Sequence, residues 1–224
     1  MISTIIFDMD GVIVDSEPVH YEIETSVMRD LGVTISHKEY LTFVGKTARN
    51  MWSSLIERFE LEISVDTAVQ MSKDRYHHEL YHTDRPHAIP GTVSLIQGLH
   101  EEGKKLILAS SSTLENIHIV LDKHNLKQYF SHIAGGDEVE NGKPEPDIFS
   151  LAAKRAKTLP SQCLVIEDSR NGVAAAKAAG MRCIGYDNPS SPGQLLYDAD
   201  LVVSDMTELS AKNIFEKLEA VKSS

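Results

Sequence analysis

Phe7-Asp8-Met9-Asp10-Gly11-Val12-Ile13-Val14-Asp15-Ser16 follows directly on the apolar pair Ile5-Ile6. An apolar run that ends in two aspartates and a glycine reads as a strand that stops at a polar turn. Side chains two apart on a strand share a face, so Asp8 and Asp10 project near one another at its carboxyl end. In open α/β sheets that edge is where ligands bind. Crowded carboxylates there repel unless a cation, a proton or a covalent change relieves them.

Beyond Asp15 the pattern is helical up to about residue 85. Ser16 is placed to cap a first helix with Pro18 in its first turn and Gly32 as its stop. Ser36 with Glu39 forms a capping box, and Gly45-Lys46-Thr47 breaks the pattern before a third helix. The apolar stripe of that helix is Met51, Leu55, Ile56 and Phe59. A fourth covers 64–82, with Val65, Val69, Tyr76, Leu80 and Tyr81 as inward positions. Arg85-Pro86-His87-Ala88-Ile89-Pro90-Gly91 is a semi-rigid return. Strands and helices then alternate, which requires a parallel sheet covered on both faces and joined by right-handed crossovers. The expected organisation is an α/β, Rossmann-like parallel-sheet core over 1–15 and 88–224, with an inserted helical bundle over 16–87.

Composition narrows the options. The 224 residues are 42% hydrophobic and 25% charged, as in globular proteins, and the formal net charge is −11. So acidic a chain is a poor nucleic-acid binder. No apolar run approaches bilayer length, and no basic segment precedes the first strand, so a cytoplasmic location without membrane association is expected. Cys163 and Cys183 form no Cys-x-x-Cys pair and read as buried structural thiols. His78 and His82 stand one helical turn apart beside His77, without a cysteine or acidic ligand set near them in sequence, and read as a solvated helix face.

Further expected strands end at Ser110 and at Glu167-Asp168, and a Gly-Lys-Pro loop carries Lys143. Taken singly, Ser110-Ser111-Ser112-Thr113 would cap a helix, Lys143 would be a solvated lysine, and Glu167-Asp168 would favour a helix start. If the strands are parallel, all of them meet Asp8 and Asp10 on one sheet edge. Together they make a phosphoryl-transfer site. Asp8, Asp10, Glu167 and Asp168 are hard oxygen ligands suited to Mg²⁺. Ser110 and Lys143 are donors for phosphoryl oxygens, as are the backbone amides of Ser111 and Ser112, which are expected to open a helix.

In this order, Asp8-x-Asp10-Gly11-Val12-x-x-Asp15-Ser16, the strand ending at Ser110, Gly142-Lys143-Pro144-x-Pro146, and Glu167-Asp168-Ser169-x-x-Gly172-Val173 resemble the haloacid dehalogenase superfamily. The likeness is to its β-phosphoglucomutase-like phosphatases and spans nearly the whole chain. It implies a phosphatase in which Asp8 is the nucleophile and Asp10 the general acid and base. Mg²⁺ would be held by Asp8, the main-chain carbonyl of Asp10 and Asp168, with Glu167 supporting from behind. The helical insert resembles the family's cap. The substrate would be a small phosphate ester such as a sugar or polyol phosphate, and the protein a monomer or weak homodimer.

The family's branches differ in detail. Phosphonate hydrolases use a cap lysine, and nothing singles out Lys38, Lys46 or Lys73. His20 matches a histidine of the phosphomutases that also occurs in phosphatases. Arg49 follows Gly45 one residue later than in the phosphomutase pattern and is a candidate grip for a substrate anion. Thr113 stands where phosphomutases place a basic residue, which favours simple hydrolysis.

Overall fold

A computed structural model describes residues 2–44 and 47–220; Gly45 and Lys46 of the expected helix break lie outside the described residues. The chain divides into two compact units, residues 1–15 with 87–224, and residues 16–86.

The first unit opens with β1 (Thr4–Phe7), all four residues buried. Its apolar side chains on both faces suit a central parallel strand. A tight turn leads to β2 (Val14–Asp15). The second unit follows, with α1 (Glu17–Asp30), α2 (His37–Tyr40), α3 (Ala48–Phe59) and α4 (Val65–His82). Back in the first unit, β3 (His87–Ala88) pairs antiparallel with β2, Asp15 opposite His87. β3 lies inside the expected linker and β2 at the end of the first core segment. Two residues per strand are too few to show any alternation in sequence.

The remaining elements are α5 (Thr92–Glu101), β4 (Lys105–Ser110), α6 (Leu114–Lys123), β5 (His132–Gly135), α7 (Asp147–Ala156), β6 (Cys163–Glu167), α8 (Arg170–Ala178), β7 (Arg182–Tyr186), β8 (Leu201–Val203) and α9 (Ile214–Ala220). Six strands form one sheet in the order β5-β4-β1-β6-β7-β8, every neighbouring pair parallel. The fold is the expected α/β, Rossmann-like one. Ile6, Ile107, Ala109, Cys163, Val165 and Cys183 pack on one sheet face against Ile148, Phe149, Ala152 and Ala153 of α7 and Val173 and Ala176 of α8. Both thiols are free and buried there. Burial pushes Cys163 up to about 11 and raises Cys183 well above the ordinary thiol range, so both stay protonated at neutral pH.

In the helical unit Val27, Met28, Trp52, Leu55 and Ala68 form the core. Ser36, Thr47 and Ser64 accept hydrogen bonds from the amides of Glu39, Asn50 and Thr67, capping three helices. Ser16 does not cap α1 by its side chain, because its φ/ψ of −88°/−14° is already helical. On α4 the buried line is Ala68, Ser72, Tyr76 and Leu80, and Tyr81 is exposed, contrary to its expected inward position. Trp52 Nε1 donates to Ser72 Oγ at 3.2 Å, and Ser72 donates to Glu24 at 2.7 Å. Glu24 is thereby buried within α1, and desolvation raises its carboxyl despite that hydrogen bond. His78 and His82 are exposed, their ring centroids 4.2 Å apart. Among the described residues no helix is long and apolar enough to cross a membrane.

Candidate active site

Parallel register brings the strand ends level. Phe7 pairs with Leu108 of β4 and with Ile166 of β6, so Asp8 follows β1 where Glu167 closes β6. Asp8, Ser110, Glu167 and Asp168 are all buried at this edge. Beyond Asp8 the chain folds back at once, the amides of Ile13 and Val14 donating to the Met9 carbonyl at 2.8 and 3.1 Å. Gly11 turns the chain with φ of +78°, and a Cβ there would lie 2.0 Å from Asp168 Oδ2. Only glycine satisfies both the left-handed backbone and the close approach of that carboxylate.

Lys143 reaches this edge from its loop. Its Nζ donates to Asp8 Oδ1 at 2.7 Å and to Glu167 Oε1 at 2.6 Å, and it sits 5.0 Å from the centre of the Phe149 ring. Its side chain is 8% exposed, so it is a buried ammonium between two carboxylates and not a solvated lysine. Glu167 Oε2 accepts from the amide and hydroxyl of Ser169 at 2.6 and 3.0 Å, while Ser169 caps α8 through the Gly172 amide. A Cβ at Gly172 would stand 1.7 Å from Glu167 Oε1, so this carboxylate lies directly over the first turn of α8.

Oxygens of Asp8, Glu167 and Asp168 lie within 4.8 Å of one another. Among the described residues these three buried carboxylates and the Lys143 ammonium make a formal excess of two negative charges. Burial first, then the charge of Glu167, pushes Asp8 up to about 7 against the opposing pull of Lys143. Asp168 is raised by burial and by the charges of Glu167 and Asp8. Burial alone would lower Lys143, but the two carboxylates outweigh it and hold its ammonium above the ordinary lysine range. An all-oxygen donor set with excess negative charge fits a hard divalent cation such as Mg²⁺.

The Asp10 side chain is not part of that group. It accepts from Ser112 Oγ at 2.8 Å and lies 3.5 Å from Ser110 Oγ. Two expectations change with this. Ser112 faces Asp10 with its hydroxyl, and its amide donates to Ser110 Oγ at 3.1 Å. Nor do Ser111 and Ser112 open the helix. Thr113 caps it, accepting from Asn116, and Ser111 is exposed.

His20 and Arg49 belong to the helical unit. His20 stacks on Tyr76 with ring centroids 4.5 Å apart and lines a cleft of about 230 Å³ with Glu17, Glu24, Tyr40 and Met51. Arg49 is exposed and ion-paired with Asp66 of α4. Sequence reasoning gave no role to Ser169 or Ser112 as tethers for carboxylates. Ser169 was visible inside the acidic motif, whereas only the fold shows Ser112 turned toward Asp10.

The haloacid dehalogenase-like hydrolase family model matches residues 5–186, and the chain belongs to that family. Its relatives place it among the phosphoric monoester hydrolases. It is 32% identical to the phosphorylated carbohydrates phosphatase of Thermotoga maritima over 202 residues, covering 88% of this chain and 91% of that one. It is 37% identical to the bifunctional riboflavin kinase/FMN phosphatase of Arabidopsis thaliana over 210 residues, covering 92% of this chain but only 54% of that protein's length. Its fold is similar to that of β-phosphoglucomutase from Clostridium difficile, with a TM-score of 0.80, 27% identity and both chains covered in full.

Proposed function

We propose that this chain is a Mg²⁺-dependent phosphatase that hydrolyses a sugar or polyol phosphate through a phosphoryl group carried on Asp8. The observation that carries the reading is the buried Lys143 ammonium bridging Asp8 and Glu167 beside Asp168. An Asp8 oxygen forms a bond to phosphorus as the ester P–O bond breaks, and Asp10 gives a proton to the departing alkoxide. Asp10 then takes a proton from the water that attacks the phosphorus, which frees inorganic phosphate and restores Asp8. Lys143 and Ser110 orient the phosphoryl oxygens and offset their charge. Glu167, tied to Ser169, fixes Lys143. Asp8, the main-chain carbonyl of Asp10, and Asp168 would hold Mg²⁺, which supplies further neutralisation of the phosphoryl charge.

The similarity to β-phosphoglucomutase raises a transfer between two positions of one sugar as the second reading. Thr113 is engaged in capping α6, and no cation occupies its position to hold a second phosphate, which favours hydrolysis. We place substrate choice in the helical unit, where the cleft beside His20 offers carboxylate, imidazole and phenol groups to hydroxyls. Arg49, paired with Asp66, is given no part.

Purified protein should release phosphate from hexose and hexitol phosphates with Mg²⁺ and lose that activity in EDTA. Interconversion of hexose phosphates without phosphate release would replace this reading with the mutase one.

Cation binding should also depend on pH. Asp8 takes up its proton near 7 in the folded chain against an ordinary value of 3.8, and Asp168 is raised in the same direction. The folded state therefore binds more protons than the unfolded one across that window, and stability without the cation falls as pH rises from about 4 to 7. Mg²⁺ competes with those protons. Its melting-temperature gain over EDTA should be small at pH 5 and larger at pH 8; a gain independent of pH would count against these ligands.

A further inference from the structure

Asp10 lies outside β1, in a turn bridged to Val14, where the Gly11 amide donates to the Val14 carbonyl at 2.8 Å. The reaction nevertheless needs its carboxyl at one place for two proton transfers. Ser112 Oγ holds the carboxylate end. The backbone end passes into Gly11, whose left-handed conformation is soft because no Cβ restricts it.

The loop after β7 anchors this turn from outside. Asn188, 3% exposed, donates from Nδ2 to the Gly11 carbonyl at 3.1 Å. Its Oδ1 accepts from the Ser190 amide at 2.8 Å. The two bonds fix the amide's orientation, since a flipped side chain would set two acceptors and two donors face to face. Ser190 Oγ then donates to Asp15 Oδ2 at 2.8 Å, so both ends of the turn over 11–15 are pinned by one loop.

We propose that Asn188 is a positioning residue for the acid and base Asp10, acting through the Gly11 carbonyl; this rests on the phosphatase reading above. Asn188 touches no reacting atom. It fixes the Gly11–Val12 peptide plane, and a shift of that plane carries the turn, and with it the Asp10 carboxyl, away from the ester oxygen. A displacement of about 1 Å at a proton-transfer group costs on the order of 100-fold in rate.

The leaving group separates positioning from general damage. An alkyl phosphate needs its departing oxygen protonated, whereas p-nitrophenol departs as a stable anion. Asn188→Ala should lower kcat/KM for an alkyl phosphate about tenfold or more, and for p-nitrophenyl phosphate less than about threefold. Asp10→Asn, measured in parallel, should show the same skew in larger form. Should Asn188→Ala melt before the assay temperature, Asn188→Ser is read by the same criterion. Equal losses on both esters, or no loss on either, overturn the proposal. Wild-type protein inert toward both esters overturns the phosphatase reading itself, which is a different result from equal losses in an active enzyme.

Discussion

Asp8→Asn should abolish phosphate release, a loss of about 10³-fold or more, while the protein still folds. An amide oxygen is a poor nucleophile toward phosphorus, and no other side chain of the cluster stands in the same place. Glu167 is held by Lys143 and Ser169, and Asp10 by Ser112. The stability readout runs the other way. Burial pushes the Asp8 carboxyl up to about 7, so its ionised form is unfavourable in the folded chain without a cation. A neutral amide removes that cost at pH 8, and Lys143 retains Glu167 at 2.6 Å. Melting of the metal-free variant at pH 8 should thus match or exceed wild type. A variant that loses activity only because it unfolds below the assay temperature would not support the nucleophile role.

Lys143→Met should be damaging twice over. The thioether keeps most of the apolar stem beside Phe149 but removes the ammonium that bridges Asp8 and Glu167 beside Asp168. Loss of one preorganised donor to the transferring group lowers kcat by about 10²–10³. Removing one partner of a buried ion pair also costs about 3–5 kcal/mol of stability, because the charges left behind are unpaired. That penalty depends on pH in a definite sense. Without the lysine, Asp8 and Asp168 rise further, the folded state holds more protons than the unfolded one, and stability falls as pH increases. Thermal melts in EDTA should show the variant much weaker than wild type at pH 8 and closer to it at pH 5. Equal deficits at both values would mean that Lys143 acts by packing and not by charge.

Sequence made part of this site legible for a physical reason. Ile5-Ile6-Phe7 and Cys163-Leu164-Val165-Ile166 are buried on both faces, so each is an unbroken apolar run, and the polar residue that ends it stands out. Asp8, Ser110, Glu167 and Asp168 were found that way, and Lys143 by its loop. The missing parts carry no such signal. The β2 and β3 ribbon is two residues a side. Ser16 has the composition of a cap but a backbone already helical. Tyr81 fits the apolar stripe of α4 by type, yet the buried line runs through Ala68 and Ser72, small residues that leave room for Trp52. Ser112 and Asn188 act on the Asp10 turn from 102 and 177 residues away, and only the fold brings them to it.

The stereochemical course at phosphorus tests the central claim most directly. A phosphorothioate ester made chiral with oxygen isotopes, hydrolysed by the enzyme in labelled water, yields thiophosphate of measurable configuration. Transfer to Asp8 followed by transfer to water comprises two in-line displacements and predicts net retention. Net inversion would mean that water attacks the ester in one step, and that Asp8 never carries the phosphoryl group.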